Sequence, residues 1–464
     1  MRYGEATNGK REHDGRDVHL CGRIGSWPVV LSRSLRVWLV FCYCLFLSCI
    51  FYVSLASADA PPCRTDLLER LGVSAWHAQG WRGQGVKVAV LDSGFRGYRA
   101  HLGAVLPTTV HACSFRLDGD LEAKDSSHGI LCAEVVHTLA PEAELLLANW
   151  EPECSDQFLE AVRWARRQGA RILSCSIIMP SWSDGEGHGR IHRELVRLLA
   201  SPPGKGRADA GDALFFASAG NTAERHWSGL FEDGGDGYHI WRDDAGVAHR
   251  ENPIQPWGSE RVSVELCCAS NPVYEVTVFD ASTERIIGRA QSTDGGGICS
   301  AVVAFLPESG HDYHVRIRRL VPAKSSVASA SPFHLVVLGG TLRYSTSEGS
   351  IPFPGDGEEV LAIGAVDALG RRLAYSSCGF KRGKVKPDLV ATVPFPSRWR
   401  VRPFAGTSAA APQAAALAAL LWSRHPDWNA QQIRKFLQNT ARPCPVSSPI
   451  WETGHGLLHL PPPD

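Results

Sequence analysis

The sequence predicts an α/β fold: a parallel sheet covered by helices on both faces, with an antiparallel β-sandwich module inserted into it. Three observations predict this. Short apolar runs rich in β-branched residues end in turn residues, as buried parallel strands do. Amphipathic helical patterns lie between these runs. From about Glu224 to Tyr344 both give way to short alternating strands broken by Gly, Pro, Asn and Asp, with no helical period between them.

Taken in chain order, residues 1–58 read as an export region. The run from Val37 to Ala60 carries no charge until Asp59, Arg23, Arg33 and Arg36 precede it, and Ala56-Ser57-Ala58 fits the small-x-small pattern of signal cleavage. The expected location is secreted or in the cell envelope. The apolar run is nearly as long as a spanning helix of about 20 residues, so if uncleaved it would anchor the chain in a membrane. Of the 14 cysteines, Cys21, Cys42, Cys44 and Cys49 lie in or before this run. The others would meet an oxidising compartment, where some disulfides are expected. Cys132 and Cys175 sit in apolar runs and read as buried free thiols instead.

Residues 59–223 form the first part of the α/β domain. Their strands are "GVKVAVLDSG", "AELLLANW", "ARILSCSII" and "ALFFASAGN". Their helices are "SHGILCAEVVHTLAP" and "SDQFLEAVRWARRQG", the second ending on Gly169 as a helix C-cap. The lead from Asp59 to Gln84 is too short to form an independent folding domain. Residues 224–344 form the β module, with "PAKSSVASASP" as a loop inside it. Residues 345–464 return to the α/β plan with the strand "EVLAIGAVD" and the helix "GTSAAAPQAAALAALLW". Pro412 stands in that helix's first turn, where a missing N–H has no partner to lose. Lysine plus arginine equals aspartate plus glutamate at 48 each, so no charge excess points to nucleic acid or to a charged partner.

In a parallel α/β sheet the working residues collect where strands end and helices begin. Asp92, His128, Asn221 and Ser408 stand at such places. Each has an ordinary structural alternative: a turn aspartate, a helix-start histidine, a turn asparagine and a helix-capping serine. Together they fit one mechanism. A serine hydroxyl attacks only when a base takes its proton, and a neutral imidazole is the natural base near pH 7. A carboxylate fixes that ring's tautomer and stabilises the imidazolium, while an asparagine amide and the serine N–H hold the oxyanion.

The segments "AVLDSG", "HGILCAEVVHTLAPEAEL", "FFASAGN", "SIPFPGDGEEVLAIGAVD", "KPDLVA" and "GTSAAAPQAAALAALL" together resemble the subtilisin-like serine peptidases, in that family's order. The resemblance implies a secreted endopeptidase acting on polypeptides through an acyl-enzyme. It makes Asp92 the triad aspartate, His128 the base, Ser408 the nucleophile and Asn221 the oxyanion-hole amide, with Ser176 and Ile178 on the substrate strand. Three departures stand out: Ile130 where the family usually has Thr, Ala409 where it has Met, and Ile177-Ile178 where it has Leu-Gly. A β-branched residue in place of that glycine narrows or re-aims the peptide cleft.

No cofactor or metal is implied. The pairs His188/His192 and His455/His459 have i, i+4 spacing but no adjacent glutamate. "DGGDG" (Asp233 to Gly237) lacks the terminal glutamate of a calcium loop and reads as a turn. A lipase-type hydrolase does not fit, since Ala410 stands where its G-x-S-x-G elbow needs glycine. The alternative from another class is an exported binding or scaffold protein on a degenerate peptidase fold, acting through the β module.

Overall fold

The computed structural model describes residues 64–122, 126–200, 212–269, 273–320, 332–445 and 448–463. The export segment, the centre of the "PAKSSVASASP" loop and the cysteines before Cys113 lie outside them.

In the first half of the chain the strands are Lys87–Leu91 (β1), His111–Ser114 (β2), Glu144–Asn149 (β3), Ile172–Cys175 (β4) and Leu214–Ser218 (β5). Val88 and Val90 of β1 enter one hydrophobic cluster, while Ala89 and Leu91 enter another. The same alternation puts Leu145 and Leu147 of β3 on the first face and Leu146 and Ala148 on the second. Two buried faces explain why these strands read as continuous apolar runs. Two later strands, defined below, join them in a seven-stranded sheet whose neighbours all pair in parallel.

The helices before the middle of the chain are Arg64–Arg70 (α1), Val73–Ala78 (α2), His128–Leu139 (α3), Ser155–Arg167 (α4) and Arg190–Ala200 (α5). After it come Ala411–Arg424 (α6), Ala430–Asn439 (α7) and Ile450–Thr453 (α8). Helices α3 and α6 cover the first face of the sheet, α4 and α5 the second. The alanines of α6 are fully buried. Their small side chains let α6 lie close against α3 and the sheet, where bulkier residues would not fit an interior packed to crystal density.

The middle of the chain adds His226–Gly229 (β6), Trp241–Arg242 (β7), Ala248–His249 (β8), Asn252–Pro256 (β9), Val262–Ala269 (β10) and Tyr274–Asp280 (β11). Then follow Arg285–Gln291 (β12), Thr293–Asp294 (β13), Ile298–Phe305 (β14), Tyr313–Arg319 (β15), Phe333–Leu338 (β16) and Gly340–Leu342 (β17). They build two antiparallel sheets, β13-β14-β10-β16-β6 and β12-β11-β15-β9-β17, with a small β7-β8 hairpin. Val262, Val264 and Leu266 of one sheet and Tyr274, Val276 and Val278 of the other share one apolar core. The chain then re-enters the parallel sheet as Val360–Val366 (β18) and Leu389–Thr392 (β19), giving the order β19-β18-β5-β4-β1-β3-β2.

The expectation of disulfides is not met among the described residues. Cys113, Cys132, Cys154, Cys175, Cys267, Cys268, Cys299, Cys378 and Cys444 are all free thiols. Most are buried in apolar layers, where a thiol packs as a small hydrophobe. The "DGGDG" turn is held by its own aspartate: Asp233 Oδ1 accepts from the N–H groups of Gly235 and Gly237 at 2.8 and 2.9 Å.

Candidate active site

Asp92 is the residue that follows β1. Its N–H donates to the Ala148 carbonyl at 3.0 Å, and it is fully buried. His128 opens α3, and its Nδ1 lies 2.9 Å from each carboxylate oxygen of Asp92. The carboxylate accepts, so Nδ1 carries the proton and Nε2 keeps the lone pair. Burial acts most strongly on this ring and lowers its pKa. The Asp92 charge and hydrogen bond outweigh it and hold the imidazole well above its usual range. The residue after His128 must be small: a Cβ on Gly129 would lie 2.7 Å from Cδ1 of the Phe95 ring.

One turn along α3, Cys132 touches three of these residues. Its Sγ lies 3.5 Å from Asp92 Oδ2, 3.9 Å from His128 Nδ1 and 3.8 Å from the Ser408 carbonyl oxygen. Burial pushes its thiol pKa up, so the sulfur stays protonated and acts as a weak donor. Ligand atoms of Asp92, His128 and Cys132 lie within 4.8 Å of one another, close enough to hold a metal ion. The carboxylate and the imidazole already satisfy each other.

Ser408 sits in a 3₁₀ turn, Thr407–Ala409, that leads into α6. Its hydroxyl caps neither the turn nor the helix. It donates to the Ser176 carbonyl at 3.4 Å, and Ser176 Oγ donates back to the Ser408 carbonyl at 3.2 Å. Gly406 makes the sharp entry possible with φ of 86°, which an L side chain rarely adopts. Asn221 lies just past β5, and its Oδ1 accepts from Thr407 N at 3.0 Å and Thr407 Oγ1 at 2.9 Å. These two bonds fix which end of the amide is oxygen and leave the NH₂ as a donor beside Gly406. A Cβ on Gly406 would lie 3.1 Å from Asn221 Nδ2.

Five of the six residues singled out in the sequence therefore share one neighbourhood: Asp92, His128, Asn221, Ser176 and Ser408. Ile178 lies half-buried two residues beyond Ser176. The arrangement supplies a base with its lone pair free, a buried carboxylate behind it, a serine that caps nothing and an oriented amide donor.

Residues 83–242 and 339–456 match the family described as the subtilase family. The chain belongs to this family. Among curated subtilase relatives, subtilisin DY of Bacillus licheniformis is 34% identical over 114 residues, 25% of this chain and 41% of that protein. The M-protease of Shouchella clausii (strain KSM-K16) is 28% identical over 165 residues, 34% of this chain and 43% of that protein. The chain thus spans less than half the length of these relatives. The solved structure of the Clostridium perfringens CspB protease superposes with a TM-score of 0.60 at 15% identity, covering 85% of this chain and 95% of that one. That likeness bears on the fold.

Some contributors to this candidate site were not visible in the sequence. Thr407 read as part of a turn, but it also sets the amide orientation of Asn221. Phe95 carries no motif, and only its contact with Gly129 shows its part. The histidines of "HGRIH" diverge: His188 Nδ1 pairs with Asp184 at 2.8 Å, whereas both ring nitrogens of His192 meet carboxylates, Asp356 at 2.9 Å and Glu359 at 3.0 Å. His459 Nδ1 meets the Arg70 carbonyl at 3.1 Å.

Proposed function

We propose that the protein is an exported serine endopeptidase with an Asp92-His128-Ser408 triad. The observation that carries this is the pairing of His128 Nδ1 with both oxygens of the buried Asp92, which leaves Nε2 as the base. Ser408 Oγ attacks the peptide carbonyl carbon and gives its proton to Nε2. The Asn221 amide and the Ser408 N–H hold the oxyanion. Collapse breaks the C–N bond, His128 returns the proton to the leaving amine, and water then hydrolyses the acyl ester by the same route. Ser176 and Ile178 border the acyl side of the substrate. No metal or organic group is required in these steps.

In this reading residues 1–58 direct export, 59–223 and 345–464 make the catalytic domain, and 224–344 form the inserted module. Among the described residues, no helix is long and apolar enough to cross a membrane. The test is labelling with a fluorophosphonate, mapped by mass spectrometry, beside Ser408→Ala. An adduct on Ser408 that the variant lacks is expected. A folded chain that takes no adduct would favour a binding protein that acts through residues 224–344.

A further inference from the structure

The middle sheets do more than pack beside the parallel layer. A cleft of about 410 Å³ is lined by Asn221, Tyr375, Ala405 and Gly406 of the catalytic layer. Glu224, Arg225, Trp257 and Thr341 complete it, and Trp257 lies between the two segments that match the family. A second cavity, of about 340 Å³, is lined by none of the proposed catalytic residues. The first cleft therefore abuts the oxyanion amide. It includes nothing of Ser176–Ile178, where the acyl side of a substrate would lie in the endopeptidase reading.

Its chemistry is set by Arg225. The Arg225 Nε donates to the Asn221 carbonyl at 2.8 Å, and its guanidinium lies 4.7 Å from the centre of the Trp257 ring. No carboxylate of the described residues pairs with it, so the remaining N–H groups of the fork stay available. Burial lowers its pKa to about 10, which keeps it charged at neutral pH. Glu224 also lines the cleft, but it is exposed, and water screens it more than the half-buried Arg225. Trp257 is 53% exposed, a large apolar ring left open at the cleft wall.

We propose that this cleft receives the substrate residue just after the scissile bond, and that Arg225, stacked on Trp257, selects an aspartate or glutamate there. The proposal rests on the endopeptidase reading. A guanidinium forms paired, charge-assisted bonds with a carboxylate and repels an ammonium.

The test uses internally quenched peptides that differ only at that residue, with fluorophosphonate labelling of Ser408 run on each variant. A preference of about tenfold in kcat/KM for Asp or Glu over Lys is expected, the size of one charge-assisted hydrogen bond. Arg225→Gln can keep a bond to the Asn221 carbonyl but lacks the charge, and should bring the ratio near one. Arg225→Glu should invert it. Because the readout is a ratio within each variant, a general loss of rate does not imitate the effect. Labelling of Ser408 with a flat ratio in the unaltered protein overturns this inference and leaves the peptidase reading intact. Absence of both adduct and cleavage overturns the two together.

Discussion

Each functional group of the site is held by a few named neighbours, and this sets what single substitutions should do. In the proposed mechanism the Asn221 amide contributes only once negative charge develops on the carbonyl oxygen. Asn221→Leu should therefore lower kcat by about 10²–10³ with KM little changed, in steady-state kinetics. Thr407→Val removes one of the two bonds that orient that amide and keeps the backbone one. A smaller fall in kcat, of about tenfold, is expected. An equal effect of both would mean that Thr407 does more than orient. The His128 ring carries a further consequence. Burial lowers its pKa, but the Asp92 charge and hydrogen bond outweigh this, so the ring gives up its extra proton at a higher pH than an ordinary histidine does. The kcat/KM should therefore keep rising above the ordinary histidine value of about 6.5, and a pH profile that levels off at or below that value would contradict this.

At the scale of elements, α3 is placed by one glycine. Gly129→Ala would push a methyl into the Phe95 ring, 2.7 Å from Cδ1. The expected cost is about 1–3 kcal/mol, read as a lower denaturation midpoint and partly recovered when Phe95→Leu is added. The antiparallel sheets depend on pH through buried histidines. His226 Nδ1 donates to the Thr346 carbonyl at 2.9 Å, so its Nε2 must accept from His334 Nδ1, also at 2.9 Å. Burial keeps both rings neutral. Burial lowers His226 to about 3, and His334 and His239 to about 4. Unfolding lets these rings take up protons. Their contribution is complete above about pH 6.5 and is lost as the pH falls toward those values. His192 has the opposite sign. Burial lowers it, but Asp356 and Glu359 raise it to about 9, so its contribution is complete below about pH 6.5 and lost as the pH rises through 9. Urea midpoints should already fall between about pH 6.5 and 5, above the range where carboxylates titrate. A flat midpoint across that window would refute the assignment.

The elements also show what the sequence could tell. β1, β3, β4, β5 and β18 were legible because burial on both faces makes a strand uniformly apolar. The antiparallel strands were legible as alternation and as a sandwich, but their sheet order was not, since partners such as β10 and β16 lie far apart in sequence. Asp92, His128, Asn221 and Ser408 could be picked out because strand and helix ends carry short motifs. Arg225 and Trp257 carry none, and they meet only because β6 and the β9–β10 turn fold back beside Asn221. Among the described residues free thiols stand where disulfides were expected, for a similar reason: cysteine count reports composition, and pairing needs two sulfurs brought within bonding geometry.

At the scale of the whole molecule, residues Pro61–Asp464 form one compact unit although they contain two kinds of sheet. Specific bonds join them. Ser181, in the 3₁₀ turn Pro180–Trp182 of the parallel layer, donates its N–H to Glu265 of β10 at 3.1 Å. Arg193 of α5 donates to the Gly296 carbonyl at 2.9 Å, and Thr346 N donates to the His226 carbonyl at 2.7 Å. The Phe380 ring meets His334 edge-on at 6.0 Å. Losing the antiparallel sheets would leave the Ser181 N–H without its Glu265 partner and would remove the ends that hold Arg225 beside Asn221. The two parts should therefore unfold together. The antiparallel core contains Trp227 and Trp241, and the parallel layer contains Ser408. Thermal curves followed by tryptophan fluorescence, far-ultraviolet circular dichroism and loss of Ser408 labelling should coincide, and all should move down together when the pH is lowered from 7 to 5. If labelling outlasts the loss of the antiparallel sheets, the middle strands fold as a separable unit. The acid sensitivity of their histidines would then leave the parallel layer standing.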